Sequence, residues 1–189
     1  LLTALLLQPT FEPVFKGEKD RMAKVAQRLA DWVDRNDRVN EASGIEGGLE
    51  QNEYVGPEYT YRVKNGKMAS SMEMLLVSGV GDDLYNLAQP NLTVFGNKQV
   101  NGCSAPDPVL RAFITQYTLS LNPPVELNQT EDMDKVLQDV RDGCVAGNTN
   151  GKGILLSIRN SLGLAQSPDT LAIQKSFESL LTNQGRFYS

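Results

Sequence analysis

Cys103, in "VNGCSAPDPV", and Cys144, in "RDGCVAG", are the two cysteines of a 189-residue chain that has no histidine. That combination removes several chemistries at once. A structural zinc site takes about four Cys, His or carboxylate ligands, a set that two thiols without histidine do not supply. A cysteine nucleophile usually takes histidine as its base, so papain-like or caspase-like catalysis lacks its second member. Both thiols are flanked by glycine and polar residues, in turn-like contexts where two loop ends can meet without distorting a helix. The residues therefore point to a Cys103–Cys144 disulfide. It would close a loop of roughly 40 residues, worth about 4 kcal/mol in the chain-entropy picture, and would persist only outside a reducing cytosol. Two unrelated reduced thiols are the alternative, because an even count of two discriminates weakly.

No other stretch assembles a reaction. "GNTNGKG", residues 147–153, looks like a phosphate loop, but Ala146 stands where its first glycine belongs and Gly153 follows Lys152 in place of Ser or Thr. A calcium loop aligned on Gly151 would need an acid at Ala146 as well. Asp82 and Asp83 are adjacent, so on a helix they diverge by about 100° and suit a helix start better than an acid–base pair. Ser104 in "GCSAP" lacks the glycine spacing of a nucleophile elbow. A carboxylate pair of the glycosidase kind tolerates a histidine-free chain, yet nothing singles one out. Trp32, Met72 with Met74, and Tyr59 with Tyr61 are residue types that stack or adapt to ligands, but each sits where core or strand packing accounts for it. The sequons at Asn91 and Asn128 would matter only in a eukaryotic secretory source. The reading is of a non-enzyme with no catalytic, cofactor-binding or metal-ligating set.

The elements that would carry these residues are mostly helical. Met22, Val25, Ala26, Leu29, Trp32 and Val33 recur at three-and-four spacing and predict an amphipathic helix over Glu18–Asn36. Residues 43–58 read as a flexible glycine-rich loop, followed by a strand in "EYTYRV" and a tight turn at Asn65-Gly66. A helix ending at Gly79 and short strands at Leu92–Phe95 and near Val100 follow, placing a small antiparallel element between about Tyr54 and Val100. Asp107-Pro108 opens a helix; Met133, Val136, Leu137 and Val140 mark the next, from Thr130 to Gly143. Cys103 then precedes one helix and Cys144 follows the other, at the same end of an antiparallel pair. "GILLSIRNSLGLA" and a segment opening at Ser167-Pro168 and closing at Gly185 continue the helical pattern. The fold class is α+β, predominantly helical, with several amphipathic helices and a small antiparallel β element in the middle of the chain.

With 40% hydrophobic residues, 189 residues suffice for a single globular domain. The net charge of −5, with scattered basic residues, argues against a nucleic-acid partner. The opening "LLTALLLQPTFEP" lacks an initiating Met and reads as part of a longer protein. Its leucine run is far short of the roughly 20 residues of a membrane span. Exposed, those leucines would form an apolar patch, so Leu1, Leu2, Leu5, Leu6 and Leu7 are expected to pack on the core or a neighbouring subunit. Ile45, Leu49 and Tyr54 of the glycine-rich loop are expected to join such contacts.

Finally, "SSMEMLLVSGVGDDLYNLAQPNLTVFGNKQVNGCSAPDP" and "VRDGCVAGNTNGKG" resemble the periplasmic IcmX component of Dot/Icm (type IVB) secretion systems. The resemblance implies a non-enzymatic, exported assembly subunit, periplasmic or secreted, whose partners are other secretion-system subunits and copies of itself. It carries over no catalytic residue and no cofactor. The alternatives are a secreted carboxylate-dependent hydrolase and a soluble immunity-type binding module.

Overall fold

The structure is a computed structural model that describes residues 1–40, 46–54, 56, 61–95, 99–127, 130–165 and 168–182. The chain divides into two compact units. One comprises Leu2 and Leu6–Phe95, the other Leu1, Thr3–Leu5 and Gly96–Ser189, so the residues of helix α1 (Leu2–Leu6) are shared between them.

In the N-terminal unit, α2 (Glu12–Phe15) ends with Lys16 in the left-handed conformation at φ +49°. Gly17 continues the turn at φ +79°, the region where glycine carries no Cβ penalty. The chain then enters α3 (Lys19–Val33), whose stripe of Met22, Val25, Ala26, Leu29 and Trp32 is buried as the spacing predicts. Val33, expected on that stripe, is 42% exposed because the helix ends there. Strands β1 (Arg38–Asn40) and β2 (Glu46–Leu49) pair antiparallel, with Arg38 opposite Leu49 and Asn40 opposite Glu46. A 3₁₀ turn, Glu50–Glu53, follows. Ser70 caps a second one, Ser71–Leu76, by accepting the Met72 N–H, and α4 (Asp82–Ala88) starts with both predicted aspartates in its first turn.

The antiparallel element thus lies at 38–49, upstream of the predicted Tyr54–Val100. Within "EYTYRV", the described residues Tyr61–Val63 form no strand. The Gln51 amide occupies their backbone instead, accepting from the Val63 N–H at 3.0 Å and donating to the Tyr61 carbonyl at 3.4 Å. Leu92–Phe95 is likewise not a strand, since Thr93 Oγ1 accepts the Phe95 N–H in a local turn.

The C-terminal unit packs α5 (Asp107–Leu119), α6 (Thr130–Val145), α7 (Gly151–Ser161) and α8 (Pro168–Glu178) around one apolar cluster. Phe113, Tyr117, Val136, Val140, Ile154 and Ile158 are central to it, and Phe177 meets Phe113 and Tyr117 edge-on at 5.6 and 5.3 Å. Strand β3 (Val100–Asn101) lies parallel to β4 (Leu181–Thr182), tying the start of the unit to its end. Gly151 lets α7 begin against that end: a Cβ there would stand 2.9 Å from the Glu178 carbonyl oxygen.

Cys103 and Cys144 are disulfide-bonded, with Cα atoms 5.8 Å apart. Cys144 lies in the last turn of α6, not beyond it, because the helix runs on to Val145. The same junction is held by Arg141, one turn earlier. Its guanidinium donates to the carbonyls of Cys103 (2.7 Å) and Ala105 (2.6 Å) and to Asp107 Oδ1 (2.9 Å). Replacing both cysteines by serine should leave the fold intact, because Arg141 and the core remain, but should lower the unfolding free energy by about 2–4 kcal/mol. Urea denaturation of the double variant beside the oxidised protein measures this, and coincident midpoints would show that the bond contributes nothing.

Candidate functional site

The end of α3 reads "DWVD", and the i, i+3 spacing of Asp31 and Asp34 puts both carboxylates on one side of the helix terminus. That terminus is the negative pole of the helix dipole, and α3 has no basic residue in its last turn. Asp34 is the C-cap. Asn36 folds back on it, donating from its N–H to Asp34 Oδ1 at 3.0 Å and from Nδ2 to Oδ2 at 2.9 Å. The β1–β2 ladder then returns the chain, and the Glu50 N–H donates to the Asp37 carbonyl at 3.1 Å.

This route brings a third carboxylate to the first two. One oxygen each from Asp31, Asp34 and Glu50 lie within 4.8 Å of one another. Glu50 is 2% exposed, and neither of its oxygens has a hydrogen-bond partner among the described residues. Burial above all, then the negative charges of Asp31, Asp34 and Asp37, push its carboxyl up to about 7. Beside it Asp37, Glu50, Gln51, Arg62, Val63 and Asn65 line a pocket of about 330 Å³. Asn65 Nδ2 donates to Asp37 Oδ1.

Trp32, next to Asp31, joins Tyr54 and Tyr61 in an aromatic cluster with ring centroids 5.9, 6.1 and 6.3 Å apart. Tyr61 OH donates to the Leu76 carbonyl at 2.7 Å, and Tyr54 OH accepts the Ser78 N–H at 3.4 Å. Trp32 and Tyr54 are buried, so these two rings are internal packing and not a stacking platform.

The residues expected to make contacts are dispersed by burial. Leu5, Leu6 and Tyr54 are buried in this chain, Leu2 is half-buried, and Leu1 and Leu7 are 49% and 52% exposed. Leu49 contributes its backbone to β2, and Ile45 lies outside the described residues. None of Asp31, Asp34 and Glu50 was singled out by residue type and spacing. The "DWVDRND" run, with acids at i, i+3 and i+6, is the available local signal, but Glu50 is distant in sequence and only the ladder delivers it.

The comparisons with known proteins bear on the same unit. The chain is similar to a component of a protein secretion system. The particular family is "Type II secretion system (T2SS), protein K", whose model matches residues 5–97, just under half of the chain. The matched stretch coincides almost end to end with the compact unit Leu6–Phe95. The resemblance to IcmX is corrected accordingly: a secretion-system relation stands, but the match is to a type II component and not to the type IVB one. Neither a curated protein nor a solved structure matches the chain significantly.

The raised Glu50 carboxyl should make the protein less stable as pH rises from about 4.5 to about 7. In that window the folded state holds a proton that the unfolded chain has released. The Lys64 ammonium beside Glu73, helped by the Ala69 N–H, holds that carboxyl below its ordinary value, so its contribution is lost instead as pH falls below the usual carboxylate range. Urea midpoints at pH 5, 6, 7 and 8 should fall for the native chain and stay flatter for Glu50→Gln. Parallel profiles would rule Glu50 out as the source.

Proposed function

We propose that the protein is an exported, non-enzymatic subunit of a secretion system that works through protein–protein contacts. The observation that carries this reading is the match of residues 5–97 to type II protein K, because those residues form a compact unit with its own buried face, as a transferable module would. The Cys103–Cys144 disulfide supports an oxidising compartment, periplasmic or extracellular. Among the described residues no helix is long and apolar enough to cross a membrane. The partners proposed are other subunits of the same machine and further copies of this chain, engaged through Leu1 and Leu7, the two most exposed leucines of the opening run.

The hydrolase alternative has one observation in its favour, the meeting of Asp31, Asp34 and Glu50 beside a pocket. Burial weighs against it: an acid 2% exposed does not reach a substrate oxygen without rearrangement.

Substituting Leu1 and Leu7 together by aspartate should weaken capture of purified secretion-system subunits, or self-association, by about tenfold or more while the far-ultraviolet spectrum is unchanged. Both positions are already half in water, so folding should tolerate the change. Sedimentation of the chain alone and with candidate subunits reads the result. A native chain that stays monomeric and binds none of them would defeat the proposal.

A further inference from the structure

We propose that a cleft along α3 of the N-terminal unit is the docking site for an acidic, partly apolar segment of a partner subunit. The inference rests on the reading of the chain as a subunit that works through contacts, and it gives one of those contacts its chemistry. Arg21, Lys24 and Arg28 recur at three-and-four spacing, which stacks their charges along one side of α3. With Lys19 they line a cleft of about 770 Å³ whose lining also takes in Gly79. Gly79, at φ +89°, lets the chain before α4 approach the helix closely. A Cβ there would stand 3.0 Å from Val25 Cγ2 and 3.4 Å from the Arg28 guanidinium.

Two of these cations are held in position by their own chain. Arg21 donates to the Val14 carbonyl at 3.2 Å and lies over the Phe15 ring, and Arg28 donates to the Ser78 carbonyl at 3.3 Å. Lys19 and Lys24 are exposed and pair with no acid among the described residues. On a chain whose net charge is −5, the cleft is opposite in sign to the protein as a whole, which favours an acidic partner. Glu18 and Asp20 line it too, Glu18 at 4.0 Å from Arg21. Those two carboxylates oppose the uniform negative surface of a bilayer but leave places for separate acids on a polypeptide. A smaller hollow of about 130 Å³ shares Gly17, Glu18 and Lys19 with the cleft, and Phe11, Phe15 and Met22 make it apolar. The two together fit a segment whose acids meet the α3 cations and whose one large apolar side chain enters the hollow.

The test selects from a displayed library of random short peptides on the full, oxidised chain. Enriched peptides should carry several Asp or Glu and one large apolar residue. A synthetic copy of the most enriched one should bind about tenfold more weakly when salt is raised from about 50 to about 500 mM. Lys19→Glu combined with Lys24→Glu should weaken it by about tenfold or more, with the far-ultraviolet spectrum unchanged because both side chains are exposed. Lys19→Arg combined with Lys24→Arg keeps the charge and should keep the binding. The selection uses no secretion-system subunit, so its failure is separate from failure of the subunit reading, which sedimentation of the Leu1 and Leu7 variant decides. No enrichment, enriched peptides without an acidic excess, undiminished binding to the charge-reversed chain, or capture of phosphatidylglycerol vesicles in place of peptide would overturn the assignment.

Discussion

Carboxylates at the C-terminal end of a helix repel both the helix and one another, and the N-terminal unit nonetheless gathers three of them there. Asp31 and Asp34 follow the helix repeat on α3, and the β1–β2 ladder then adds Glu50 from a turn whose backbone is tied to Asp37. The ladder, the aromatic cluster of Trp32, Tyr54 and Tyr61, and the Gln51 amide that holds the Tyr61–Val63 segment all lie close along the chain to these acids. Their packing holds the carboxylates near each other against a Coulomb cost that grows as water is excluded. A proton on Glu50 relieves that cost, and its carboxyl is accordingly pushed up to about 7.

The C-terminal unit answers a different constraint. Its helices draw their stability from a contiguous apolar cluster, and the loop before α5 is fastened to α6 by bonds of another kind. The disulfide and the Arg141 fork act on that loop together. The covalent bond restricts the unfolded chain, while the guanidinium satisfies two carbonyls and an aspartate that the loop leaves open. The buried Arg159 follows the same logic, its charge passed through the Gln174 amide to the Glu178 carboxylate. The family match stops at residue 97, so this unit carries its devices outside the matched region.

Helices with strong three-and-four periodicity were legible in the sequence because a stripe such as Met22, Val25, Ala26, Leu29 and Trp32 has one economical place to go. The disulfide was legible too, since turn chemistry around both cysteines left them free to meet. Strands were not. Tyr61–Val63 has strand-forming residues, but strand propensity expresses itself only where a partner edge exists, and a glutamine side chain took the hydrogen bonds first. The Asp31–Asp34–Glu50 cluster escaped for the same reason: two members are a helix repeat apart, but the third depends on a ladder between residues of no marked β character.

The disulfide makes the stability of the C-terminal unit depend on compartment. A reducing cytosol withholds that covalent tie and leaves the loop before α5 held by the Arg141 guanidinium, the β3–β4 pairing and the core. An oxidising compartment supplies it, acting on the unfolded reference without altering the apolar cluster on which the helices pack.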